Sequence, residues 1–359
     1  MPVTTICQGL PLTVRDLLFV RKCGEESAGL EGRVCTGTAK KKTMCRWMAY
    51  IGPRMKLSSL VTKPKNGIVQ QSLDNVSYTP GLHKNTERNH AVNADGFGIS
   101  FYDKHQVPHT YRSTKPAWSD TNLNTLADNI ETHLTLAHVR AATPGLPVME
   151  ANCHPFTFGQ LTFMHNGGIG GFEHLKRPMS ELFPNEIWHN IQGSTDSEYC
   201  FHYFLTHLYK HASMDRKVCP IEMKDALRKA IDGLIDLQKQ YCDNDTLSEQ
   251  SASMNFCVSN GTDVCATRMR RPIHDDSPSL FLGTGDKFEY SEKDGLFHFV
   301  NNATSNTGEE HEEGSKKKQR VAIISSEPLT HVEEDWQIVP EETLIAVNRL
   351  GEVELSSLL

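Results

Sequence analysis

The chain has 359 residues, 38% of them hydrophobic, with 37 lysines and arginines against 44 aspartates and glutamates. That is enough apolar material for one large domain or two smaller ones. A formal charge of −7 leaves no dominant basic face for nucleic acid, and no apolar run reaches the length of a membrane span, so neither partner is expected.

Residues 1–43 match poorly with the rest of the chain. Positions 11–22 have helical apolar spacing with basic residues, and a polar glycine-rich stretch then leads to Lys40-Lys41-Lys42. Asp16, Glu25, Glu26 and Glu31 speak against an arginine-rich, acid-poor targeting peptide, so a disordered leader or an upstream start is preferred. Then come Met44 and Cys45, at the head of an apolar strand, 46–51, closed by Gly52-Pro53. Residues 54–92 are polar, broken by Pro64, Gly67, Pro80 and Gly81, and read as long loops. In Asn93-Ala94-Asp95-Gly96-Phe97-Gly98, an Asp-Gly turn feeds an alternating strand, which alone is an ordinary hairpin signal.

A polar span through Pro116–Asp120 precedes a helix predicted over 122–133 and a strand over 135–140 that ends in Arg140. An arginine at the end of a buried strand is costly unless something pairs with it, so Arg140 is a candidate anion receptor; a structural salt bridge stays equally open. After Asn152-Cys153-His154-Pro155-Phe156, the strand 161–164 opens into His165-Asn166-Gly167-Gly168-Ile169-Gly170. Glycines at that density let backbone N–H groups approach a ligand, and Asn166 adds an amide donor, although such a run alone is more often a turn. A loop carrying Pro178 and Pro184 leads to a helix start at Gly193-Ser194-Thr195-Asp196-Ser197-Glu198, with Ser194 or Thr195 as cap and acids suited to the helix dipole.

Tyr199, Phe201, Phe204, Leu205 and Leu208 then give a buried helical face, and a second helix spans 221–241. The remainder is strand-rich. A hairpin turns at Asn260–Asp263, and further strands are expected at 279–283, 321–326, 336–339 and 344–348. Residues 301–320 form a charged insert, expected to be flexible. The ten cysteines are irregularly spaced with no Cys-x-x-Cys pair, which favours reduced thiols in a cytoplasmic setting and no zinc site. Histidine pairs such as His202 and His207 arise by chance among 17, and no metal or cofactor is expected.

Six motifs occur in the order found in class II glutamine amidotransferases, which are N-terminal-nucleophile hydrolases. They are Met-Cys-Arg-Trp, Asn-Ala-Asp-Gly-Phe-Gly, Ala-His-Val-Arg-Ala-Ala-Thr, Asn-Cys-His-Pro-Phe, Phe-Met-His-Asn-Gly-Gly-Ile and Ser-Thr-Asp-Ser-Glu. The tail, Ser325-Ser326-Glu327-Pro328-Leu329-Thr330 followed by Asp335-Trp336, resembles a narrower branch that includes the amidotransferase-like subunit of the fungal glutathione-degradation complex. The resemblance covers residues 45–359 and leaves out the leader, 1–44.

The resemblance implies a four-layer αββα fold, α/β (α+β) in class, with mostly antiparallel sheets; periodicity by itself supports only a mixed domain with many hairpins. It implies Cys45 as nucleophile, with its own α-amine as base, and an oxyanion receptor from the Asn166 side chain and the Gly167 N–H. Arg140, with Thr143 nearby, would bind a substrate α-carboxylate, and Asp196 the α-ammonium. The expected reaction is hydrolysis of a γ-glutamyl amide, glutathione first and free glutamine second, with a metallopeptidase as a partner subunit. Too little chain follows Asp196 for a synthase domain. Met44 is internal here, so Cys45 needs either translation from Met44 with trimming, the preferred route, or cleavage of a propeptide. A non-catalytic scaffold subunit with Cys45 blocked is the alternative from another class.

Overall fold

The computed structural model describes residues 44–73, 92–142, 145, 147–210, 213–214, 216–272, 277–301 and 318–358. Residues 1–43 of the leader, Thr143 and most of the charged insert, 302–317, lie outside these residues.

The first sheet is built on β1 (Arg46–Lys56), which pairs on one side with β4 (Glu131–Val139). Beyond β4 lie β2 (Phe97–Tyr102) and β3 (Pro108–Ser113). On the other side of β1 stand β13 (Val321–Ser325), β10 (Phe281–Gly285) and β14 (Gln337–Ile338). The second sheet runs β16 (Val353–Ser357), β15 (Thr343–Val347), β8 (Val264–Arg268), β7 (Ala252–Ser259), β6 (Leu161–Gly168) and β5 (Phe156–Phe158). The short β9 (Arg270–Arg271) pairs with β7, and β11 (Lys287–Ser291) with β12 (Leu296–Val300) makes a separate hairpin. Every strand pairing among the described residues is antiparallel.

Alternation along the strands builds the layers. Trp47, Ala49 and Ile51 of β1 meet Met164, Cys257, Ala266 and Ile345 in a core between the two sheets. Met48 and Tyr50, pointing the other way, pack with Leu60, Val61, Ile68, Leu123 and Ala127. These last residues come from α1 (Ser58–Val61), α2 (Ile68–Leu73) and α3 (Thr121–Asn129). Behind the second sheet, Phe163, Met254, Phe256 and Val258 pack on Leu175, Phe201, Phe204, Leu227 and Leu234. Those helices are α4 (Phe172–Leu182), α6 (Asp196–Tyr209) and α7 (Pro220–Tyr241), with the short α5 (Asn185–Trp188) alongside. Three apolar interfaces therefore separate four layers, helix, sheet, sheet and helix, as the resemblance implies.

Several local expectations are corrected. Gly52-Pro53 does not end β1: the strand continues to Lys56 through a register shift between Ile51 and Met55, where a bulge tolerates proline. The 54–92 stretch holds α1 and α2, whose Leu57, Leu60, Val61 and Ile68 are buried. Such short helices are stabilised by packing rather than propensity, which hides them from pattern reading. Pro178 lies inside α4, where Leu175 and Met179 anchor the helix against the core. Helix α3 ends at Asn129, and β4 claims His133.

Trp47 spans the two sheets: its ring is fully buried between them, and its Nε1–H donates to Asn255 O on β7 at 3.2 Å. Trp47→Ala is expected to lower unfolding free energy by about 3–5 kcal/mol in a denaturant titration.

Candidate active site

The register of β1 and β4 sets the site. Arg46 is opposite Val139 and Trp47 opposite His138, so one further step brings Cys45, at the head of β1, beside Arg140, at the tail of β4. By alternation Cys45 shares the face of Trp47 and Ala49, which looks into the gap between the sheets. Asn166 and Gly167 approach from the other sheet, on β6, where Asn166 is opposite the Asn255 that receives the Trp47 indole.

Cys45 is half-buried and its thiol is free. Sγ accepts the Ala141 N–H at 3.3 Å and faces the Ala141 carbonyl at 3.5 Å. Burial, the largest influence, raises its pKa; the Ala141 N–H, Arg140 and Arg46 act downward, and Asp196 acts upward. The thiol thus feels a cation from β4 and an anion from the start of α6.

Arg140 is 3% exposed, and among the described residues its guanidinium makes one long contact, Nη1 to Pro147 O at 3.4 Å. It has no ion-pair partner among the described residues. Its main chain is fixed by bonds to Gly96 O and from Asp95 N, while Asp95 Oδ2 accepts the Ala142 N–H at 2.7 Å. The Asp-Gly-Phe-Gly stretch is explained by the loop above it. A Cβ on Gly96 would stand 2.6 Å from Cys153 Sγ, and one on Gly98 would collide with the His154 carbonyl.

Asp196 opens α6, capped by Thr195, whose hydroxyl accepts the Glu198 N–H at 3.3 Å. Its Oδ2 accepts from Ile169 N at 2.8 Å and its Oδ1 from Ser197 N at 2.7 Å. Glu198 grips the preceding loop through the Gln192 and Gly193 N–H groups. Asn166 donates through Nδ2 to Ser326 Oγ at 3.3 Å, and its buried Oδ1 has no partner among the described residues. Gly167 must be glycine, because a Cβ there would collide with the Ser253 carbonyl oxygen.

The peptide bond before the nucleophile is held from two sides. Met44 O accepts from Asn93 Nδ2 at 3.1 Å and from Arg46 Nη1 at 3.0 Å. Arg46 also binds Cys45 O and forms a buried ion pair, Nε to Glu327 Oε1 at 2.6 Å, with Glu327 fully buried. Ser326 Oγ accepts the Trp47 N–H at 3.0 Å. Arg46, Ser326 and Glu327 are site supports whose motifs the sequence analysis quoted for the resemblance without giving them a site role.

Of the predicted residues, Cys45, Arg140, Asn166, Gly167 and Asp196 converge at one end of the inter-sheet gap, while Thr143 lies outside the described residues. Among those residues no group of three His, Cys, Asp or Glu side chains could hold a metal ion. His202 instead meets the Glu198 carbonyl through Nδ1 at 2.7 Å. No described helix is long and apolar enough to cross a membrane.

A sequence profile of class II glutamine amidotransferases matches residues 66–357. The probable glutamine amidotransferase DUG3 of Saccharomyces cerevisiae is 32% identical, over 85% of this chain and 82% of its own length. The gamma-glutamyl-hercynylcysteine sulfoxide hydrolase of Mycobacterium tuberculosis is 36% identical over 126 residues, 35% of this chain and half of that protein. In fold, the chain resembles a glutamine aminotransferase class-II domain protein from Silicibacter pomeroyi, with TM-score 0.52 and 22% identity over 88% of this chain and all of that one. The glutamine phosphoribosylpyrophosphate amidotransferase of B. subtilis aligns at TM-score 0.51 and 13% identity, over 88% of this chain and 49% of that one.

The site rests on neutral buried histidines. Burial, the largest influence, pushes His138 down to about 3, from an ordinary value of 6.5. A depressed folded value means that the unfolded chain takes up the proton first. Stability is therefore fully present above about 6.5 and is lost as pH falls toward about 3. His138→Gln is expected to flatten that acid slope in urea midpoints measured across the window.

Proposed function

The chain belongs to the class II glutamine amidotransferases, and from that membership we propose that it hydrolyses γ-glutamyl amide bonds, glutathione in particular, through Cys45 as an N-terminal nucleophile. The observation that carries this reading is the buried Arg140, without a carboxylate partner among the described residues, beside a thiol that also feels Asp196. An α-amino acid head presents the complementary pair. Its carboxylate takes the guanidinium, its ammonium takes Asp196, and the γ-carbonyl reaches Sγ.

With the bond to Met44 gone, the Cys45 α-amine, of ordinary pKa about 7.7–8.0, takes the proton of a thiol of ordinary pKa about 8.5 as sulfur attacks. A C–S bond forms and the carbonyl oxygen becomes an oxyanion. The Gly167 N–H and Asn166 Nδ2 serve as its donors. Rotating the Asn166 amide by half a turn lets the Ser326 hydroxyl donate to Oδ1 and moves Nδ2 to the position that now lacks a partner. Loss of one such donor costs about 3–4 kcal/mol of barrier. Collapse breaks the amide C–N bond, and the leaving amine takes the proton from the ammonium. Water then attacks the thioester, gives its proton to the amine, and releases glutamate with the thiol restored.

Glutamine and glutathione share the γ-glutamyl half, so Arg140 and Asp196 serve both. Glutathione is favoured by the resemblance of the Ser-Ser-Glu-Pro tail, and the named activity of the mycobacterial relative supports hydrolysis of a γ-glutamyl compound other than glutamine. The dipeptide released from glutathione suits a metallopeptidase partner, and the seven described free cysteines suit a reducing cytoplasm.

Protein beginning at Cys45 is expected to release glutamate from glutathione faster than from glutamine, and Cys45→Ala to release none. The same chain with Met44 attached is expected to be inactive; equal rates for both forms contradict the free-amine requirement. If neither form releases glutamate, even with a metallopeptidase present, the hydrolase reading fails in favour of a scaffold subunit. Arg140→Lys loses the bidentate fork and is expected to raise KM about tenfold or more.

A further inference from the structure

Behind the ammonium side of the site lies a buried network that the proposed reaction leaves unused. His165 on β6, directly before Asn166, is 1% exposed. Its Nε2 lies 2.7 Å from Ser253 O, and its Nδ1 lies 2.9 Å from Ser197 Oγ. A carbonyl oxygen only accepts, so Nε2 carries a proton. Burial, the largest influence, holds the ring below the ordinary histidine range, although Asp196 and the Ser253 carbonyl act upward. A neutral ring has a single N–H, so Nδ1 is a bare lone pair and takes the proton of the Ser197 hydroxyl.

That hydroxyl has a second suitor, Asp196 Oδ1 at 3.3 Å. Each carboxylate oxygen offers two acceptor positions. One on Oδ2 is filled by Ile169 N–H and one on Oδ1 by Ser197 N–H, so among the described residues one stays open on each oxygen. Were the Ser197 hydroxyl to turn, the position on Oδ1 would close.

We propose that His165 is a positioning residue which, by drawing the Ser197 hydroxyl away from Asp196, keeps both open acceptor positions of that carboxylate for the α-ammonium of a γ-glutamyl substrate. The proposal rests on the reading of Asp196 as ammonium receptor. The titratable groups around His165 do not compete. His138 on β4 reaches its carbonyl through Nε2 at 3.1 Å, and His154, from the loop before β5, lies 4.1 Å from His138 between ring centroids. Burial holds both well below the ordinary histidine range. On β7 the neighbours are the Phe256 ring and the Ser253 carbonyl, neither of which titrates.

The test uses steady-state kinetics of enzyme with a free Cys45 amine. His165→Gln can keep an Nε2–H toward Ser253 and puts carbon where Nδ1 stood, so the Ser197 hydroxyl loses that lone pair and turns onto Asp196. KM is expected to rise about tenfold, the size of one charge-assisted hydrogen bond, with kcat changed much less. Adding Ser197→Ala removes the intruding hydroxyl and is expected to bring KM back down, which repair of a merely structural defect would not do. A fall in kcat at constant KM, or a double variant no better than His165→Gln, overturns the proposal.

If His165→Gln does not fold, Ser197→Ala decides alone. Protonating His165 makes Nδ1 a donor and turns the hydroxyl onto Asp196, so KM of the parent should rise on acidification through the pKa of His165, and KM of Ser197→Ala should lack that rise. An identical acid rise in both overturns the proposal. Should the parent release glutamate from no γ-glutamyl compound, the functional reading fails. The 15N spectrum of the histidines in the full chain then still decides this proposal: Nε2–H with a bare Nδ1 sustains it, and Nδ1–H overturns it.

Discussion

The antiparallel pairing of β1 with β4 is the constraint on which the rest of the molecule depends. It joins the head of one central strand to the tail of the next, so Cys45 and Arg140 leave the sheet side by side. Because a one-residue slip would turn both side chains to the opposite face, the apolar alternation of Trp47, Ala49 and Ile51 also fixes where the thiol points. Packing and chemistry are therefore set by one register.

Charge is handled differently at the two arginines that flank this register. Arg46 is satisfied: Glu327 takes its Nε, and the carbonyls of Met44 and Cys45 take its Nη1. Arg140 is equally buried but, among the described residues, its guanidinium has a single long contact to a carbonyl. A buried guanidinium left in that condition costs stability unless a ligand completes it. The contrast separates a structural ion pair at Arg46 from the receptor proposed at Arg140, two roles that look alike in sequence.

Much of the site was legible because its residues lie in short local patterns. Thr195 caps α6 as its Ser-Thr-Asp-Ser-Glu context suggests, and that cap delivers Asp196. Asn166 and Gly167 follow a readable strand, and Arg140 stood out as a charge ending an apolar run. What stayed hidden depends on distant chain. Ser326 supports Asn166 from 160 residues away, and Glu327 pairs with Arg46 from 281 residues away. The α1 and α2 helices, of four and six residues, exist through packing on β1 and β4 rather than through their own propensity. Pro178 similarly misled, since the burial of Leu175 and Met179 outweighs the lost backbone bond within α4.

The groups around Cys45 form a set whose parts have meaning only together: a cation, an anion, the proposed oxyanion donors of Asn166 and Gly167, and a thiol whose amine is still held in a peptide bond. The most direct test of that set is mass spectrometry of enzyme quenched in acid while it turns over glutathione. The expected adduct is a γ-glutamyl group attached through the sulfur of an N-terminal Cys45. Turnover with no such adduct, or with the group on another residue, would contradict it.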